Sequence, residues 1–187
     1  MLVDIQESLK VLRKDGTILY PTDTVWGLGC DATKSKAVNN IYKIKNRKEK
    51  KSLIILVSSI EEIPNYVEHF PKQISDLIQN YPKPLTIVFP GAKNISKNLI
   101  PADGTIAIRV VKNAFCIQLI QELGNPLVST SANISGSTTP IIYREIAKEI
   151  KSKVDYIVKH QQKKLSPASP SSIIKVDHLG NYEMLRS

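Results

Sequence analysis

The sequence predicts an α/β fold, one domain built on a mixed β-sheet with helices packed against it. Three observations predict this. Short apolar runs of strand length, such as LIILV at 53–57 and LTIVF at 85–89, are interleaved with segments whose apolar residues recur every three or four positions. Strand and helix patterns mix along the whole chain, with no internal repeat and no clean linker, so the domain is expected to span 1–187. The 187 residues, 42% hydrophobic and 23% charged, suit one sizeable core and are short for two.

Taken in order, Leu2, Ile5, Leu9 and Leu12 recur at helical spacing, and Gly16 follows as a stop. TILYPT (17–22) reads as a short strand that ends at Pro21. SKAVNNIYKIKNR places Val38, Ile41 and Ile44 on one helical face and runs to about Arg47. The fully apolar run 53–57 reads as a buried strand. SSIEE offers a capping box, Ser58 with Glu61 or Ser59 with Glu62, and another short helix follows Pro71. LTIVF and TIAIRVV (105–111) read as strands. NAFCIQLIQELG is a helix capped by Asn113 and stopped by Gly124. PLVST (126–130) is a strand that enters a loop, and TPIIYREIAKEIKSK is a helix with Pro140 near its first turn. DYIV, SSIIKV and YEML close the chain as strands. The Pro/Ser-rich stretch 159–172 reads as a mobile polar loop.

The net charge of +9 favours a polyanionic partner or substrate without choosing between nucleic acid and nucleotide. The surplus is local. Bases bunch in 144–164 and in KIKNRKEKK (43–51), which holds Lys43, Lys45, Arg47, Lys48, Lys50 and Lys51 against Glu49 alone. Cys30 and Cys116 sit in apolar settings and read as buried thiols of a reducing compartment. The start MLVDIQESLK lacks a basic signal-peptide region, and no apolar run approaches the roughly 18 residues of a membrane span. The expectation is a cytoplasmic protein with no membrane partner.

Several common motifs are missing. There is no phosphate-cradling G-x-x-x-x-G-K-[ST], no nucleophile elbow, and no Cys/His spacing for a structural metal. GLGCDA (Gly27, Gly29, Ala32) fits a loose dinucleotide fingerprint, but Pro21 interrupts the strand before it and Glu49 lies in a basic run. The glycines read instead as a close pass against a ligand or a neighbouring strand. Four polar clusters then remain at predicted strand ends: Thr22, Asp23 and Thr24 beside Trp26; the basic run; Arg109; and Ser129, Thr130, Ser131, Asn133 and Ser135. Arg109 reads either as an outward, solvated residue or as a buried anion site. The Ser/Thr/Asn loop reads either as a turn or as a cradle for phosphate or carboxylate.

These clusters resemble the YrdC-like family of threonylcarbamoyl-AMP synthases, in its short single-domain form. YPTDTVWGLGCDA resembles the family's P-T-[DE]-T-x-[YW]-G-L. KIKNRKEKKSL carries its K-x-R at Lys45 and Arg47, with Lys51 on a further polar position. YPKPLT resembles W-P-G-P-L-T, IAIRV resembles A-x-R-V, STSANISG resembles S-x-S-A-N-x-S-G, and SPSSII resembles P-S-T-I-V, with Arg186 just before the end. Departures are Lys48 and Ser52 where the family has proline or glycine, Lys83 for a glycine, and Leu56 where some longer members carry a histidine.

The resemblance implies a YrdC-like fold: a twisted mixed β-sheet flanked by helices, with a basic concave face. It implies formation of L-threonylcarbamoyladenylate and pyrophosphate from L-threonine, bicarbonate and ATP, for threonylcarbamoyladenosine in tRNA. ATP would be lined by Lys45, Arg47, Lys51, Thr105, Ser131, Asn133, Thr139 and Arg186, with Lys45, Arg47, Ser131 and Asn133 closest to catalysis. Threonine would be held by Thr24, Arg109, Ser129 and Ser171. Magnesium would come with the triphosphate, since no acidic cluster offers a protein cage. The partners implied are tRNA-modifying threonylcarbamoyl-transfer proteins, with weak RNA binding through the basic face. The rivals are an RNA-binding module without adenylate-forming activity, for which aromatics are only 6%; the related module of hydrogenase-maturation carbamoyl transferases; and a silent homologue, against which the intact K-x-R and S-x-N argue.

Overall fold

The computed structural model describes residues 1–46, 53–164 and 170–187. The chain begins with α1 (Leu2–Leu12), β1 (Ile18–Tyr20), β2 (Gly27–Gly29) and α2 (Ser35–Ile44). It continues with β3 (Ile54–Val57), a 3₁₀ helix (Ile60–Asn65), α3 (Gln73–Asn80), β4 (Leu85–Phe89) and β5 (Ile106–Val110). The last part holds α4 (Ala114–Leu123), β6 (Leu127–Ser131), α5 (Lys148–Lys151), β7 (Tyr156–Ile157), β8 (Ser172–Val176) and β9 (Tyr182–Arg186).

The strands form a mixed sheet in the order β7-β1-β2-β6-β3-β5-β4-β8-β9. β3 lies at its centre, parallel to β5 and antiparallel to β6, and its Ile55, Leu56 and Val57 are fully buried. A strand covered on both faces needs a continuous apolar run, which is what 53–57 supplies. α1 packs on α4 through Ile5, Leu9 and Leu12 against Phe115, Leu119 and Ile120. Each such side chain contributes about 1.5–3 kcal/mol by leaving water. α4 has the ends its sequence predicts: Asn113 accepts from the Cys116 amide at 3.2 Å, and Gly124 is left-handed at φ 74°.

Three local expectations change. α2 ends at Ile44, not near Arg47: the Lys45 amide still reaches Ile41 O, but Asn46 turns left-handed at φ 49°. The capping box at SSIEE does not form. Glu62 instead reaches back four residues to the hydroxyl and amide of Ser58, and Pro64 lies within the 3₁₀ helix that follows. The segment 139–153 is not one helix. Glu145 Oε2 accepts from the amides of Ile141 and Ile142, a short 3₁₀ turn forms at Tyr143–Glu145, and extended backbone at Ile146 and Ala147 separates it from α5. Ile142, Ile146 and Ile150 are still buried, at a spacing a helix would share, so the break lies in the backbone that Glu145 ties and in the extended residues 146 and 147. α1 ends before Gly16 as expected, with the Gly16 amide on Val11 O at 3.0 Å and a positive φ at Asp15 (60°).

β2 shows why GLG is glycine-rich. A Cβ on Gly29 would lie 2.1 Å from Val128 O and 2.8 Å from the Tyr20 ring. The strand is pressed between the Tyr20 side chain and β6, so the glycines serve close packing rather than a dinucleotide turn.

Register then places chemistry on one face. Leu56 pairs with Arg109, and Ile54 with Ala107 and Ser129. The β4–β5 pairing Ile87↔Ile108 sets Thr86 opposite Arg109, while Thr86 pairs with Ile173 and Ile173 with Arg186. Because side chains alternate, one face carries Ser129, Ile54, Arg109, Thr86, Ile173 and Arg186 across six strands.

Candidate active site

That face opens into a cavity of about 250 Å³, lined by Thr24, Trp26, Gly27, Ile54, Thr86, Arg109, Ser129, Ser131, Thr139, Ser171 and Arg186 among others. The volume suits an amino acid and is small for a whole nucleotide, which would extend past its mouth.

Arg109 is the buried charge of the site. It is 4% exposed, so the solvated reading of this residue is overturned. Its Nη2 lies 3.2 Å from Asp23 Oδ1, and its Nε is buried without a hydrogen-bond partner. A buried guanidinium with an unsatisfied donor on a polar cavity is prepared for an incoming anion.

The turn after β1 presents Thr24. Thr22 Oγ1 donates to Val25 O at 2.7 Å and accepts from the Thr24 amide at 3.0 Å. With its one proton used, Thr22 must accept from the Thr24 hydroxyl, 3.0 Å away. Thr24 Oγ1 is thereby left as an acceptor facing the cavity. Beneath it, the fully buried Tyr20 hydroxyl donates to Val128 O at 3.2 Å, and burial pushes its pKa far above the usual phenol range. Burial also raises the thiols of Cys30 and Cys116, which are buried as expected.

Lys45 is 3% exposed and turned inward. Its Nζ donates to Ser131 O at 2.7 Å, Asn133 O at 2.8 Å and Asn133 Oδ1 at 3.4 Å, while its own carbonyl accepts from the Ser135 amide at 3.1 Å. This residue holds the loop that leaves β6 from two sides. Within the loop, Ser131 Oγ donates to Asn133 Oδ1 at 2.5 Å and Asn133 Nδ2 donates to Ser137 O at 2.5 Å. The amides of Ala132, Asn133 and Ser137 go to Trp26 O, Ser131 O and Ile134 O. Much of the loop's donor capacity is therefore spent on its own shape.

At the opposite wall, the hydroxyls of Thr86 and Ser171 meet at 2.8 Å. Arg186 donates to Ser171 O from Nε (3.1 Å) and Nη2 (2.7 Å), tying the last strand to the residue that precedes β8.

Of the residues singled out from the sequence, Thr24, Arg109, Ser129, Ser131, Thr139, Ser171 and Arg186 line this one cavity. Lys45 and Asn133 stand behind its loop. Thr105 is outside the lining, with its hydroxyl on Asp103 Oδ1 at 2.8 Å, at the far end of the face that carries Arg109. Arg47 and Lys51 lie outside the described residues, as do Lys48, Lys50 and part of the 159–172 loop. Sequence reasoning did not select Thr86, Ile54 or Ile173. Thr86 closes the YPKPLT motif and Ile173 lies within SPSSII, but that they share a face with Arg109 and Arg186 follows only from cross-strand register. Among the described residues, no group of three or more His, Cys, Asp or Glu could hold a metal ion, and no helix is long and apolar enough to cross a membrane.

Comparison with known proteins gives the family and the fold. The Sua5/YciO/YrdC family model, described as telomere recombination, matches residues 10–187. The threonylcarbamoyl-AMP synthase of Pseudoalteromonas translucida (strain TAC 125) is 36% identical over 157 residues, 82% of this chain and 84% of its own. Sua5 of P. abyssi, solved in complex with L-threonine, aligns at 26% identity and a TM-score of 0.81, over 92% of this chain and 50% of that one. This chain therefore spans about half the length of that Sua5 protein. E. coli YciO aligns at 26% identity and a TM-score of 0.81, over 98% of this chain and 88% of its own. A shared sequence pattern across nearly all of the chain and a shared arrangement of strands lead to one conclusion: the chain belongs to the Sua5/YciO/YrdC family.

Proposed function

We propose that this chain is an L-threonylcarbamoyladenylate synthase. The observation that carries the reading is Arg109, a buried guanidinium with an open Nε on an amino-acid-sized cavity walled by hydroxyls, next to a loop of short polar residues. The threonine carboxylate pairs with Arg109, in a planar fork that lysine does not copy. Thr24 Oγ1 accepts from the substrate's hydroxyl or amine, and Ser129 and Ser171 complete the polar wall.

The threonine amine adds to carbon dioxide derived from bicarbonate and becomes a carbamate. A carbamate oxygen then attacks the α-phosphorus of ATP, the bond from that phosphorus to the bridging oxygen breaks, and pyrophosphate leaves with the electron pair. No protein nucleophile is required. The residues gather anions, orient them and stabilise the charge on the departing pyrophosphate. The reading assigns the triphosphate to Ser131, Asn133, Thr139, Arg186 and the basic residues Arg47 and Lys51, with Lys45 acting through the loop it holds. Thr105 would meet the nucleoside side of a ligand that reaches beyond the cavity. Magnesium would enter with the triphosphate and reduce its charge; the hydroxyl- and amide-rich donor set suits a metal carried by phosphate oxygens and water. The adenylate would pass to threonylcarbamoyl-transfer proteins acting on tRNA.

The test is direct. The purified protein with ATP, magnesium, bicarbonate and labelled threonine should release pyrophosphate only when threonine is present and form a labelled adenylate. Pyrophosphate release that ignores threonine, or none at all, defeats the reading.

A further inference from the structure

We infer that Asp23 is a positioning residue for threonine recognition, acting through Arg109. The inference rests on the reading that Arg109 takes the threonine carboxylate.

Arg109 and Asp23 are 86 positions apart in sequence, and their side chains are only 4% and 10% exposed. Among the described residues, Asp23 is the one carboxylate within ion-pair distance of Arg109. The contact is incomplete as a hydrogen bond. Asp23 Oδ1 sits 3.2 Å from Nη2, yet it and Arg109 Nε are both buried without a hydrogen-bond partner. Asp23 therefore neutralises the guanidinium without closing its fork. An Arg109 with no counter-charge would be a costly buried cation, and one clamped by two aligned bonds would have fewer donors for a ligand.

The second oxygen of Asp23 accepts from the Lys112 amide at 3.4 Å, just beyond the end of β5. Asp23 thus joins the strand that carries Arg109 to the turn that carries Thr24. The carboxylate holds Arg109 directly and ties its strand to the turn in which Thr22 places Thr24. Deleting its charge should disturb threonine and leave the nucleotide end of the site untouched.

The experiment compares wild type, Asp23→Asn, Arg109→Gln and the double variant by calorimetric titration with L-threonine and separately with ATP, alongside thermal melts. Binding needs no turnover, so the comparison stands apart from the pyrophosphate assay. Asp23→Asn should weaken threonine about tenfold, because Arg109 loses the counter-charge that holds it in place, and change ATP affinity by less than about twofold. In the Arg109→Gln background the same change should have no further effect on threonine, because coupled residues do not add. Equal losses for both ligands, or additive losses in the double variant, overturn the assignment to Asp23. If wild type releases pyrophosphate and Asp23→Asn binds threonine normally, this inference falls alone. If wild type binds no threonine, both this inference and the proposed function fall.

Discussion

The ammonium of Lys45 lies 2.7 Å from the carbonyl of Ser131, and the peptide of Lys45 in turn accepts from the amide of Ser135. A cation from the end of α2 is thereby built into the loop after β6. The basic run does not simply project into solvent at this point: its first site residue is 3% exposed and works as a loop anchor.

Replacing Lys45 by Met keeps the stem and removes the ammonium. The carbonyls of Ser131 and Asn133 then face a thioether, at a cost of about 1–3 kcal/mol for the unsatisfied groups. The melting temperature should fall by about 2–4 °C for each kcal/mol lost. Turnover should drop about 100-fold, with a raised KM for ATP, as the loop loses its shape. A Lys45→Met enzyme with unchanged KM for ATP would contradict the loop's place on the nucleotide side.

Arg109→Lys keeps the charge and loses the fork. Threonine affinity should fall about 10- to 100-fold, while ATP affinity moves little. Titration of both ligands checks this. A matched loss of the two would remove Arg109 from the amino-acid end.

Gly29→Ala would place a methyl 2.1 Å from Val128 O, against backbone that cannot swing aside. The expected destabilisation is about 1–3 kcal/mol. Chemical denaturation followed by circular dichroism should show a lower midpoint. An unchanged midpoint would mean that β2 and β6 separate more easily than their packing indicates.

Asp4 gives a pH dependence. Burial alone raises its pKa, but hydrogen bonds from the Lys159 amide, the Tyr156 hydroxyl and the His160 amide outweigh burial and hold it below the usual value of 3.8. Its folded pKa is depressed. Its contribution to stability is therefore fully present above the unfolded value, at about pH 4, and is lost as pH falls through the folded value. Unfolding free energy measured from pH 6 to pH 2 should show this component in wild type and lack it in Asp4→Asn. Identical acid profiles for the two would exclude Asp4 as a source of acid sensitivity.

Much of the fold was legible because local rules agreed with the final structure. The apolar run at 53–57, the Asn113 cap and the Gly124 stop each follow from the nearest few side chains. The 139–153 segment was not legible. Its helical period lost to the Glu145 carboxylate, which takes the amides of Ile141 and Ile142, and to the extended backbone at Ile146 and Ala147. The site divides the same way. The residue types suited to gathering anions stood out in the sequence, and six motifs in register pointed to the family.

By itself the sequence pointed to the class of chemistry: hydroxyls, amides and cations suited to gathering anions. Only the tertiary structure decided which of them meet. Spacing left Arg109 open to solvent or to burial, and the structure buries it, on β5 between β3 and β4. Asp23 has no local pattern that names Arg109 as its partner, and Thr86 none that sets it across the ladder from the same residue. Those relations depend on strand order and register. Both are fixed by burying apolar surface across the whole sheet, an energy spread over dozens of residues and absent from any short stretch of chain.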